Sequence, residues 1–188
     1  MAKDTTKDAG KKAGAQDKKA ARKKAPAAGS AANFLETAVR AACRKAAREQ
    51  GMELNHFLQK AIETYLLDHG NLDDDLKGRI TAKRQIIDTA VDKAREIDAK
   101  GGFDENFILN VMKAVTTDSA TGKVYETAIG GAVNDDKAPR RQSLNQQLGR
   151  VIKTAVGAKA KRNEKGKPAR AQVAGEAISS YTLLEKTA

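Results

Sequence analysis

Apolar residues recur at helical spacing through most of the chain, and stretches without them divide it. Residues 1–32 hold no large apolar side chain after Met1. From Thr37, which is placed to cap a helix, Val39, Ala42, Cys43, Ala46 and Ala47 follow one helical face. Gly51 interrupts that pattern. Leu54 and Asn55 restart it, and Phe57, Leu58, Ala61, Ile62, Tyr65 and Leu66 trace an i, i+3/i+4, i+7 face that His69 and Gly70 end, with the glycine at C′. Residues 71–100 read as one long helix whose seam is Leu72, Leu76, Ile80, Ile87, Val91 and Ala94, interrupted by Lys83. Asp73, Asp74 and Asp75 fall in its first turn, where they complement the helix dipole. Consecutive helical residues do not face one another, so this triplet is not read as a metal site. The seam suits a partner helix within the chain or in a dimer.

Gly101 and Gly102 break the chain before a second run. Phe103 to Val115 predicts a helix with Phe107, Ile108, Val111, Met112 and Val115 inward. Residues 116–123 read as a turn, residues 124–129 as a short element open to either type, and Gly130 to Pro139 as a loop. Ser143 is a natural N-cap for a further helix with Leu144, Leu148, Val151 and Ile152 on one side. Residues 158–173 have the layout of a two-stranded hairpin turning at Gly166, with Pro168 confining its second arm to a sheet edge. A flexible basic linker is the other reading of that stretch.

The expected fold is therefore mainly α. It comprises a basic tail over 1–32, a helical hairpin over 33–70, a connecting helix over 71–100 and a small α+β module over 101–188. Too poor in apolar side chains to offset its ordering entropy, the tail is expected to be disordered in isolation.

Charge changes this picture most. The 188 residues have a formal net charge of +11. Residues 1–30 hold nine Lys/Arg against three Asp, and residues 137–170 hold eleven Lys/Arg against one Glu. The remainder is net acidic, by about five charges. Cations concentrated in two stretches point to a polyanionic partner, or to a solubilising tail with none.

Candidate chemistry is sparse. The two histidines, His56 and His69, lie 13 residues apart without Cys or acidic residues at ligand spacing. The lone Cys43 sits in an Ala-rich helix as a small apolar residue, and it excludes an intrachain disulfide framework. The Gly-Gly pairs lack the Lys-Ser/Thr of a phosphate loop and the spacing of a dinucleotide fingerprint. No cofactor, metal, small-molecule substrate or enzymatic activity is expected. No apolar run approaches the roughly 18 residues of a membrane span, and the N-terminus lacks a secretory core, so a soluble intracellular protein is expected. Aromatic residues are 4% of the chain with no Trp, which disfavours single-strand binding on stacked rings and favours duplex DNA over RNA.

Three resemblances bear on function. The string Gly51-Met-Glu-Leu-Asn55-His-Phe-Leu-Gln-Lys-Ala61-Ile-Glu-Thr-Tyr65-Leu resembles the turn and second helix of ribbon-helix-helix DNA-binding proteins. That likeness implies a homodimer, with residues 28–36 as the ribbon and Asn33 reading the major groove. Its departure is the Ala-rich ribbon segment, a poor strand former, and a plain helical hairpin with Phe57, Ile62 and Tyr65 as core is the other reading. Residues 103–175 resemble a winged-helix module, with the Ser143–Lys153 helix as its recognition helix and the basic hairpin as its wing. The likeness implies that Asn145, Gln146 and Arg150 face base edges. It also implies phosphate contacts from Arg140, Arg141, Lys153, Lys159, Lys161, Arg162, Lys165, Lys167 and Arg170. The tail, with Lys11, Lys12, Lys18, Lys19, Arg22, Lys23 and Lys24, is similar in composition to Lys/Ala-rich histone-like tails and adds non-specific phosphate contacts. The expectation is a non-enzymatic DNA-binding regulator or accessory factor, of a phage or plasmid, acting in the cytoplasm at the nucleoid. The alternative is a nucleoid-like or virion assembly protein that binds nucleic acid non-specifically.

Overall fold

A computed structural model describes residues 34–50 and 52–186. The tail residues and Asn33 lie outside the described residues, as do Gly51 and most of the expected ribbon. Among the described residues there are six helices and four short strands: α1 Thr37–Glu49, α2 Leu54–His69, α3 Asp74–Ala99, α4 Phe107–Thr117, α5 Ser119–Ile129 and α6 Arg141–Ala155, then β1 Lys159–Ala160, β2 Arg170–Gln172, β3 Ser180–Thr182 and β4 Leu184–Glu185. No helix among them is long and apolar enough to cross a membrane.

The core is built around α3, which packs against α4, α5 and α6. Ile86 and Ala90 of α3 meet Phe107, Val111 and Met112 of α4, Tyr125 and Ile129 of α5, and Leu148 and Ile152 of α6 in one buried cluster. Each large aliphatic side chain taken from water there contributes about 1.5–3 kcal/mol. The expected boundary at Gly101 and Gly102 is thus a turn and no break in the core. Gly101 adopts φ 74°, and α3 belongs to the same core as the helices after it. The Asp73 carboxylate caps α3 by accepting from the Leu76 N–H at 2.8 Å, while Asp74 and Asp75 fill the first turn.

The expected turn over 116–123 is helical on both sides of one residue. Asp118 alone is extended, at ψ 127°, and its carboxylate accepts from the Thr121 N–H at 2.9 Å to start α5 at once. Gly122 is required here, because a Cβ would lie 2.9 Å from the Thr116 carbonyl oxygen. Helix α4 begins at Phe107 rather than Phe103, and Phe103 instead rests against the Phe107 ring at 5.0 Å. Helix α6 begins two residues before Ser143, whose hydroxyl donates to the Arg140 carbonyl at 3.0 Å and does not cap. Its inward face is the one expected: Leu144, Leu148, Val151 and Ile152 are all buried.

Helices α1 and α2 pack on each other and bury little else. Thr37 is the first residue of α1, following Glu36, and makes no cap bond. Gly70 follows α2 in extended backbone, φ −84°, so the C′ glycine role is not taken up. Of the expected apolar faces Ala47 is buried, whereas Val39, Ile62 and Tyr65 are 45%, 55% and 65% exposed. Ile62 and Tyr65 are therefore not core residues. At the expected ribbon, residues 34–36 form no strand.

The strands pair differently from a single hairpin. β2 pairs antiparallel with β3, β1 pairs antiparallel with β4, and residues 158–173 close on themselves at an Arg162–Pro168 bridge and the bonds beside it, Asn163 N–H to the Lys167 carbonyl and Ala169 N–H to that of Lys161. The three segments meet in a closed cycle of backbone bonds. Lys161 N–H donates to the Leu183 carbonyl at 2.9 Å, Leu183 N–H to Ala169 at 3.0 Å, and Ala169 N–H to Lys161 at 2.7 Å. Leu184 N–H donating to the Glu105 carbonyl at 2.9 Å, and Tyr181 Oη donating to Asn106 Oδ1 at 2.8 Å, fasten this ribbon to the start of α4.

Candidate nucleic-acid interface

Because α6 buries Leu144, Leu148, Val151 and Ile152, its opposite face carries Gln142, Gln146, Gly149 and Lys153 at i, i+4, i+7 and i+11, with Arg150 beside them. That face looks across an open groove of about 1010 Å³ at the β2–β3 ribbon, whose Arg170, Ser180 and Thr182 line the other wall. Lys137 and Pro139, from the loop between α5 and α6, line it as well. Gly130 positions that loop: it ends α5 in the left-handed region at φ 75°, and a Cβ there would sit 3.0 Å from the Arg140 guanidinium.

The groove is electropositive. Lys137, Arg150, Lys153 and Arg170 line it, and its one lining carboxylate, Asp136, is engaged by Arg141. Arg170 is held by the Ser180 hydroxyl at 2.7 Å across the strand pair. Arg150 lies 3.7 Å from Glu53 and 3.4 Å from His56 at the start of α2, so the groove's α6 wall abuts the α1–α2 turn. Burial and then the Arg150 guanidinium hold the His56 imidazole below its ordinary pKa, Glu53 opposing.

Four of the expected residues, Gln146, Arg150, Lys153 and Arg170, are thus brought to one groove. Two others touch it from within the fold and are not surface readers. Arg141 is only 6% exposed. Its guanidinium donates to the Ala177 carbonyl at 3.0 Å and the Glu176 carbonyl at 2.7 Å, and pairs with Asp136. Asn145 donates to the Ala177 carbonyl at 2.8 Å and accepts from the Tyr125 hydroxyl at 2.8 Å. Both are consumed in holding residues 176–177 against α6, so neither is free for phosphate or base.

The other cations are spread over the hairpin. Lys161 pairs with Glu105 at 2.6 Å, whose hydrogen bond and charge raise the ammonium's pKa. Arg162 donates to the Gly166 carbonyl. Lys159, Lys165 and Lys167 are exposed without an acidic partner among the described residues, and Arg140 likewise. Lys137 and Gln142 were not expected. Gln142 shares the outward stripe with Gln146 and would have been found had the helix been started at Arg141.

Among the described residues no three His, Cys, Asp or Glu side chains come together as a metal site, and Cys43 is half-buried in α1. A smaller cavity of about 110 Å³ between α2, α3 and α6 is lined by His56, Lys60, Glu63, Lys83 and Arg84. Within it Lys83 pairs with Glu63 at 2.7 Å, Arg84 donates to the Lys60 carbonyl at 2.6 Å, and Asp88 also lines it. No protein-family model, curated protein or solved structure matches the chain.

Proposed function

We propose that this protein binds duplex DNA without catalysing a reaction, seating the phosphate backbone in the groove between α6 and the β2–β3 ribbon. The observation that carries this reading is the groove lining: Lys137, Arg150, Lys153 and Arg170 surround two glutamines, Gln142 and Gln146, on an exposed helix face. Cations of this kind supply affinity through counterion release, and glutamine amides pair bidentately with adenine edges. The hairpin cations Lys159, Lys165 and Lys167 and the tail lysines add contacts to the flanking backbone. Self-association through α1 and α2 belongs to the same reading. The large exposed apolar side chains among the described residues are Val39, Ile62 and Tyr65 on these two helices and Phe34 just before α1.

The test is duplex binding across salt. Affinity falls roughly a thousandfold between low and physiological salt if six or more cations engage phosphates. Replacing Arg150, Lys153 and Arg170 with Gln lowers the salt slope, and Gln146→Ala narrows the preference for one duplex over random DNA. No binding, or binding indifferent to salt, overturns the reading.

A further inference from the structure

A second basic surface lies on α1, away from both charged stretches of the sequence. Each helical residue turns by about 100°, so Arg44, Lys45 and Arg48 occupy one sector of α1, roughly a quarter of its circumference, with Ala41 between them. All three are exposed, whereas Ala47 is buried and Cys43 half-buried on other sides of the helix.

The fold pairs many of its other cations. Lys83, Lys93, Lys100, Lys113, Lys161 and Lys186 each meet a carboxylate within 2.7 Å or less. Among the described residues Arg44, Lys45 and Arg48 meet none, and Glu49, one turn after Lys45, does not pair with it. Helix stability accounts for Arg48, which sits in the last turn and complements the dipole. It does not account for Arg44 and Lys45, which lie further into the helix.

We propose that this stripe of α1 is a second phosphate-backbone contact, engaging the same duplex as the α6 groove; the inference rests on that reading of the groove. Two features of α1 select a nucleic acid over an anionic bilayer. The outward sector between and beside the cations holds Thr37, Ala38, Ala41, Ala42 and Glu49, with none of the large apolar anchors that an interfacial helix inserts. Small side chains there also let the helix lie close against a backbone ridge. Residues 1–30, with nine Lys/Arg against three Asp, precede α1 in the sequence, set off from it by residues 25–39, which hold no Lys or Arg.

Position favours one duplex over two. The turn after α1 is tied to α2 by Lys60 donating to Gln50 at 3.3 Å, and Glu53 just beyond it lies 3.7 Å from Arg150 in the groove wall. A single duplex reaching from the groove past Glu53 to the stripe is the geometry proposed.

The full chain with Arg44→Gln, Lys45→Gln and Arg48→Gln is the test, measured on a 30-base-pair duplex over a salt series. Glutamine keeps helix propensity, and circular dichroism checks that the fold is intact. The slope of log affinity against log salt is expected to fall by about 2–3, at roughly 0.9 for each phosphate no longer neutralised. Arg44→Lys with Arg48→Lys should restore it. An unchanged slope, in a protein whose groove variant Arg150→Gln/Lys153→Gln/Arg170→Gln does lose slope, overturns the inference and leaves the groove reading standing. Failure of the unaltered chain to bind defeats the groove reading itself. Co-sedimentation of two labelled duplexes, abolished by the α1 variant, overturns the single-duplex geometry. Binding to phosphatidylserine vesicles that disappears in the α1 variant, with duplex slope unchanged, overturns the choice of partner.

Discussion

The Tyr125 hydroxyl donates to Asn145 Oδ1 at 2.8 Å, and the same hydroxyl stands 3.3 Å from the Ala177 carbonyl to which Asn145 donates. Tyr125 is fully buried, so its hydroxyl has no exchange with solvent to fall back on. Tyr125→Phe removes the donor and leaves Asn145 still bonded to Ala177, at a cost of about 1 kcal/mol. Asn145→Ala leaves the hydroxyl with its weaker partner alone and should cost about 2 kcal/mol. Denaturant midpoints check both, and neither substitution should alter the salt slope of duplex binding.

Arg141 uses its guanidinium as a fork on the Ala177 and Glu176 carbonyls, with Asp136 closing the third side. A lysine carries the charge without the fork. Arg141→Lys is therefore expected to destabilise by about 2–3 kcal/mol, through carbonyls left short of donors. Thermal unfolding would fall by roughly 4–12 °C for a domain of this size. A phosphate-contacting residue would instead show reduced affinity with stability unchanged.

His56 links stability to pH. Its imidazole is held below the ordinary 6.5 by burial, by Arg150 and by Lys83, against the pull of Glu53. The unfolded chain takes up a proton near pH 6.5 that the folded chain does not yet accept. Stability is thus full above 6.5 and declines as pH falls from there toward the folded value. The loss is small, because the site is partly open to water. It should appear as a lower denaturant midpoint at pH 5.5 than at 7.5, reduced in His56→Gln.

Where the sequence was legible, periodicity made it so. Leu144, Leu148, Val151 and Ile152 mark the inward face of α6, and that face alone dictates that Gln146 and Lys153 look outward together. The α4–α5 break was not legible, because Thr116 to Lys123 is polar enough for a turn and only one residue, Asp118, makes it. Asn145 has the composition of a reading residue. Its partners, Tyr125 and Ala177, lie 20 and 32 residues away, beyond any local pattern. Hairpin logic found the Gly166 turn and stopped there, since β1 and β2 take their partners from residues 180–185. The stripe on α1 vanished in the charge tally because its cations average against the acids of α2 and the start of α3.

The cycle joining Lys161, Ala169 and Leu183 has a consequence for the order in which the molecule is assembled. Two of its three bonds, those made by Leu183, cannot form until residue 183 has left the ribosome. The helices α3 to α6 emerge earlier, and their core is filled out by Ala177, Ile178, Tyr181 and Leu184 when the ribbon arrives. The ribbon wall of the groove, with Arg170 on it, must then close last. A nascent chain will carry these helices before it has a cleft, and the cleft will be acquired in a single late step.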